Sequence, residues 1–191
     1  MTCRTSGRDL IDGIADAWRR EMPGLYRPEA QMASRAVRLG VLLDDLLAAE
    51  LARWDLLKTD FAVLTALRSA GAPYELRPSD LKDRLLLTSG GVTTVLKRLE
   101  KAGLVEREQD TADGRSTRVR LTSTGIETAG ATVQAWSQAE SRFFQAVPPQ
   151  VVQAASDTLR EVLVAVGDLE PPTSRTRKRR ARSSQKTLMT P

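Results

Sequence analysis

The sequence predicts a mainly α-helical protein with a small β-hairpin, and three observations predict it. The apolar residues are mostly Leu, Val and Ala, with aromatics at only 4% of the chain, a mixture that suits packed helices better than a sheet sandwich. Apolar positions recur at helical spacing along most of the 191 residues. The exception is "DGRSTRVRLT", residues 113–122, where a turn dipeptide precedes an alternating run. A chain of this length can hold one domain with a proper core, or one domain plus tails.

Residues 1–8 are expected to be unstructured. Residues 9–21 carry Leu10, Ile11, Ile14, Ala17 and Trp18 among charges, an amphipathic helix ending near Pro23-Gly24. A long helix is expected from about Glu29 to Leu56. Its apolar set, including Val37, Val41, Leu42, Leu46, Ala49 and Trp54, covers more than half the circumference. That surface needs partners on two sides, and one of them is expected to be a second subunit; the alternative is a helix wholly buried in its own domain. Thr59 is expected to cap the next helix, with Phe61, Val63, Leu64 and Leu67 on its apolar side, closing at Gly71-Ala72-Pro73. Arg77-Pro78-Ser79-Asp80 opens a short helix carrying Leu81, Leu85 and Leu86. Thr88 caps another and Gly103 stops it.

From Leu104 to Gln109 the reading becomes a strand that pairs, across a loop at 110–115, with a strand at 116–121. Glycine at Asp113-Gly114 supplies the positive φ that tight turns need. Thr117, Val119 and Leu121 share an apolar face by the period of two; Ser116, Arg118 and Arg120 share a cationic one. Thr122 caps a long helix to about Val147, and Pro148-Pro149 begin a last helix reaching about Gly167. Residues 171–191, rich in Pro, Ser, Thr and Arg, are expected to be disordered. The resulting division is 1–8, a disordered start; 9–28, an N-terminal helix and linker; 29–57, the long helix expected to meet a second subunit; 58–121, a helical lobe with the hairpin; 122–168, two C-terminal helices; and 169–191, a basic tail.

The chain has no histidine, which removes the usual general base, the Ser-His pairing and the commonest metal ligand together. No P-loop, G-x-G-x-x-G or G-x-S-x-G is present either. Neither an enzyme nor a cofactor or metal is expected. Cys3 is the single cysteine, so neither an internal disulfide nor a cysteine metal cluster can form. With no run of about 18 apolar residues and no signal-like N-terminus, a soluble cytoplasmic protein without a membrane partner is expected.

Net charge is +5, but the seven cations between Pro171 and Pro191 meet no acid there, leaving 22 cations against 24 acids in residues 1–170. The body is slightly acidic, so local distribution has to decide what it binds. In "SGGVTTVLKRLEKA", residues 89–102, Val92, Val95, Leu96 and Leu99 form one stripe. The opposite side carries Gly90, Thr94, Lys97 and Lys101, flanked by Thr93 and Arg98, with no acid. At its start Thr88, Ser89 and two glycines let free backbone N–H groups approach an anion. A helix, a short turn, a second helix with a cationic face, then a hairpin with arginine at its tip is the order of a winged helix-turn-helix, whose second helix enters the major groove. On this reading Lys97, Lys101, Arg98, Thr93 and Thr94 meet the major groove, Gly90 allows close approach, and Thr88 and Ser89 meet phosphates. Arg115 enters the minor groove, with Asp113 orienting it or its neighbours.

Residues 76–125 resemble the DNA-binding lobe of the MarR family of bacterial transcriptional regulators. The resemblance is carried by R-L-E-K-A-G-L-V-E-R, the D-x-x-D-G-R wing and the closing L-T-x-x-G. It implies a winged helix-turn-helix lobe joined to a helical dimerisation lobe, a homodimer on a palindromic double-stranded DNA operator, and repression released by a small aromatic or anionic effector. The segment "AWRREMPGLYRPEAQM" is similar to the extra leading helix of the urate-responsive subgroup. Trp18 and Arg107 match two of that subgroup's ligand positions. Ala62 and Val95 stand where it carries an acid and an arginine, so the resemblance implies a less polar effector than urate, with Trp18 as aromatic wall and Arg107 as anion partner. The rival reading is a winged-helix protein-interaction module without specific DNA binding.

Overall fold

The computed structural model describes residues 7–24, 27–109 and 117–168. Cys3, the hairpin tip with Asp113 and Arg115, Ser116, and the tail from 169 lie outside the described residues. The chain divides into two units, 1–58 and 59–191.

In the first unit α1 spans Leu10–Glu21, as the sequence predicts. Asp9 is its N-cap, in a reciprocal box with Asp12: the Asp12 N–H donates to Asp9 and the Asp9 N–H to Asp12. The buried residues of α1, Ile11 and Ala15, lie one turn apart. α1 packs on α2, Pro28–Leu51, and Arg35 of α2 reaches back to Asp9 (2.7 Å) and Asp12 (2.7 Å). α2 stops five residues before the expected Leu56. A 3-10 turn, Ala52–Trp54, takes over, and Asp55 adopts the left-handed conformation at φ 54°. The Leu56 N–H then bonds back to the Leu51 carbonyl, closing the helix end without the glycine that usually marks such a stop.

The second unit holds the rest. α3 is Lys58–Ser69; it starts before Thr59, so that residue lies inside the first turn and is not the cap. Phe61, Val63, Leu64, Ala66 and Leu67 of α3 are buried. A two-residue strand, β1, Glu75–Leu76, precedes α4, Pro78–Leu85. Leu81 is the buried residue of α4, whereas Leu86, grouped with it on periodicity, is the left-handed C-cap and 87% exposed. The helix has ended there, and its spacing no longer governs. α5 is Ser89–Lys101. β2, Val105–Gln109, and β3, Thr117–Leu121, pair antiparallel with Val105 opposite Leu121 and Gln109 opposite Thr117. β1 joins the other edge of β3, giving the order β1-β3-β2. α6, Ser123–Phe143, ends four residues earlier than expected, and α7 is Pro149–Ala165.

The buried apolar residues of the second unit are those of α3, Leu81, the α5 stripe, Leu104, Val105, Val119 and Leu121, and Ala129 and Ala139 of α6. Burying each large aliphatic side chain contributes about 2 kcal/mol, so the stripe Val92, Val95, Leu96 and Leu99 fixes which way α5 turns its other face. The junction of β2, β3 and α6 is tied by Thr122. Its N–H donates to the Leu104 carbonyl (3.1 Å), its hydroxyl donates to the Gly103 carbonyl (2.7 Å), and its oxygen accepts from the Gly125 N–H (3.0 Å). A Cβ on Gly125 would stand 1.9 Å from the Leu104 carbonyl oxygen. That close approach is the physical content of the L-T-x-x-G motif.

Candidate nucleic-acid interface

The outward side of α5 is built by its inward side. With Val92, Val95, Leu96 and Leu99 all buried, the helix leaves Ser89, Gly90, Thr93, Thr94, Lys97 and Lys101 exposed, together with the N-cap Thr88. The Thr88 oxygen accepts from the Gly91 N–H at 3.0 Å, which satisfies one of the unpaired donors of the first turn; the acid-free first turn leaves its dipole end unneutralised. Thr93 donates its hydroxyl to the Ser89 carbonyl and Thr94 to the Gly90 carbonyl, both at 3.0 Å. The structure therefore brings seven of the sequence-derived residues onto one surface.

Arg98 is a correction. Expected at the DNA face, it turns its guanidinium to Asp60 of α3. Nε stands 2.9 and 3.0 Å from the two carboxylate oxygens, Nη2 stands 2.6 Å from Oδ1, and Nη2 also donates to the Thr59 hydroxyl at 3.1 Å. Asp60 is only 1% exposed, and a buried carboxylate holds its charge only when paired and hydrogen-bonded. The helical wheel placed Arg98 at the margin of the polar face, and a buried acid 38 positions away draws it inward. The sequence reading missed Asp60 and gave Thr59 only a capping role. The available signal was the one acid of this helix, in its first turn and directly before the apolar run Phe61–Leu64.

The wing brings a second correction. The outer face of β3, expected to be cationic, is neutralised by carboxylates from both neighbouring strands. Arg118 pairs with Glu75 at 2.5 Å, and Arg120 with Glu106 at 2.8 Å and Glu108 at 2.6 Å. Cross-strand pairing of opposite charges is the ordinary way a sheet stabilises such a face. Arg115 and Asp113, the candidates for the minor groove, lie outside the described residues.

Of the two ligand candidates, Trp18 sits on α1 and is 44% exposed, in line with Leu10, Ile14 and Met22 at four-residue intervals, all exposed. Arg107 sits on β2 with Nε 2.9 Å from Glu100 of α5, so its charge is already matched. Val95 packs in the core, and apolar contact stands where the urate-responsive pattern has a cation. Among the described residues, no helix is long and apolar enough to cross a membrane.

The model of the MarR family matches residues 54–116, the end of the first unit through the wing. The HTH-type transcriptional regulator PecS of Dickeya dadantii (strain 3937) is 31% identical over 116 residues, covering 61% of this chain and 70% of PecS. The reduced form of MarR from E. coli is similar in structure, with a TM-score of 0.60 and 28% identity over 68% of this chain and 95% of that one. A mutant of the same E. coli protein, complexed with operator DNA, reaches a TM-score of 0.63 at 24% identity, over 82% of this chain and 99% of that one, a likeness of fold.

Proposed function

This chain belongs to the MarR family of helix-turn-helix transcriptional regulators, and from that premise we propose that it binds a palindromic operator as a homodimer and represses transcription until a small effector releases it. The observation that carries the reading is the exposed, acid-free side of α5, with Thr88, Ser89, Gly90, Thr93, Thr94, Lys97 and Lys101 on one surface. Its lysines supply the donors and its small residues the close approach that a major groove requires. Arg98 is left out of that contact set and takes the role of positioning α5. Arg115 and the tail supply further cations from the sequence.

Support for a homodimer comes from apolar residues that the single chain leaves uncovered. α7 has no buried residue in 17, though Val151, Leu159, Leu163 and Val164 are exposed along it. α2 buries only Leu51 of its 24 residues while Val37 is 68% exposed. Helices with that much uncovered hydrocarbon gain most of their stability from a partner. A two-fold pair of recognition helices would meet half-sites about 10 bp apart. The effector we propose is a small aromatic or anionic molecule, with Trp18 and Arg107 as candidate contacts; an anion at Arg107 has to displace Glu100. The working compartment is the cytoplasm.

Sedimentation of the full chain, alone and with a duplex carrying two half-sites, tests the reading. A dimer that binds one duplex per dimer is expected. A monomer, or a dimer that ignores the duplex, favours a protein-interaction module instead.

A further inference from the structure

On the operator reading, on which this step rests, the chemistry of the exposed α5 face decides which base pairs it reads. A threonine hydroxyl has one proton to donate and two lone pairs to accept with. In α5 both exposed threonines have spent that proton inside the helix, Thr93 on the Ser89 carbonyl and Thr94 on the Gly90 carbonyl. Outward they offer acceptor lone pairs and γ-methyl groups. Phosphate oxygens, guanine O6 and N7, adenine N7 and thymine O4 are all acceptors and need a donor. The two threonines are poorly matched to every one of those groups unless they give up a helix bond.

What matches an acceptor beside a methyl group is an exocyclic amino group beside a methyl group. Cytosine N4 offers the amino group without the methyl; in the major groove the A·T pair alone presents both, adenine N6 and the thymine C5-methyl on either side of thymine O4. One turn further along the same face, Lys97 has three donors and no acceptor, the complement of guanine. We propose that Thr93 and Thr94 are specificity-determining residues that read A·T pairs in each half-site by accepting from adenine N6 and packing on the thymine methyl. The lysines supply the donors in their place.

The experiment is selection by the full chain from duplexes randomised across the half-site, followed by sequencing, for the wild type and for paired exchanges. Wild type is expected to favour A·T over G·C by about tenfold at one or more positions per half-site. Thr93→Val with Thr94→Val keeps the methyl groups and removes the acceptors, and should cut that preference several-fold with little change on non-specific DNA. Thr93→Ser with Thr94→Ser restores the acceptor and should recover part of it. Both pairs lie on an exposed surface, and an unchanged melting temperature shows that the fold is intact. A selected motif that neither exchange alters overturns the inference, as does an equal loss on all sequences, which marks phosphate contacts. A wild-type chain that selects no motif at all is a different result: it removes the operator reading and this inference with it.

Discussion

Arg98 of α5 clasps Asp60 of α3 through both carboxylate oxygens, with Nη2 at 2.6 Å from Oδ1. Asp60 is buried while the Arg98 side chain remains 38% exposed, so the two ends of the pair are not equivalent. α5 is thereby tied to α3 by an ion pair.

Removing the cation takes its arginine partner from a carboxylate that is only 1% exposed. Arg98→Ala is expected to cost about 3 kcal/mol of stability, read by urea unfolding, whereas Asp60→Asn, which leaves a partly exposed guanidinium near water and keeps an acceptor, should cost clearly less. Equal small losses would mean that the pair is dispensable to the fold.

Gly125→Ala is expected to destabilise by about 3 kcal/mol, because its Cβ would stand 1.9 Å from the Leu104 carbonyl oxygen, a backbone atom held by the Thr122 N–H. Gly130→Ala on the same helix, with nothing within 4 Å, serves as the control and should leave the melting temperature unchanged or higher. A mild effect at Gly125 would show that β2 and α6 can separate there without loss.

The docking of α1 on α2 should weaken in acid. The Arg35 guanidinium hydrogen-bonded to Asp9, helped by the Asp12 N–H, holds the Asp9 carboxyl below its usual 3.8. Hydrogen bonding to Arg8 lowers Asp16 likewise. A carboxyl lowered in the folded state stabilises fully above its unfolded pKa and loses that contribution as pH falls through the lowered value. The expected window is therefore below about pH 3.8. These groups are exposed and screened by salt, so the effect should be local: the protection factors of the α1 amides, exchange rates measured by NMR relative to the intrinsic rate at the same pH, should fall below that pH and in Arg35→Ala at neutral pH. Unchanged α1 protection in Arg35→Ala would assign the docking to Ile11 and Ala15 alone.

Deleting residues 171–191 removes seven cations and no acid. If they meet phosphates, the slope of log affinity against log salt should fall by up to about 6 for each chain of the bound dimer. An unchanged slope would leave the tail without a part in binding DNA.

The two faces of α5 were legible in the sequence because four apolar residues at helical spacing decide burial, and burial decides what is exposed. The hairpin strands were legible for the same reason at period two. What faced the outward arginines was not, since periodicity assigns a side chain to a face and says nothing of its neighbours. Glu75 comes from a strand of only two residues, too short to alternate, and meets Arg118 from 43 positions away. Arg98 was misplaced for the same reason, its partner lying on another helix. The end of α2 carried no glycine or proline, and Asp55 in the left-handed region is a stop that composition does not announce.

The proposed function turns on the exposed face of α5 reading a specific DNA sequence. Its most direct measurement is a gel-shift titration on the DNA flanking the protein's own gene, at two salt concentrations with excess non-specific competitor. The wild type should be compared with the Lys97→Ala, Lys101→Ala double variant. Saturable, competitor-resistant binding that the double variant loses is the predicted result. Binding that competitor abolishes, or that survives unchanged in the variant, would contradict it.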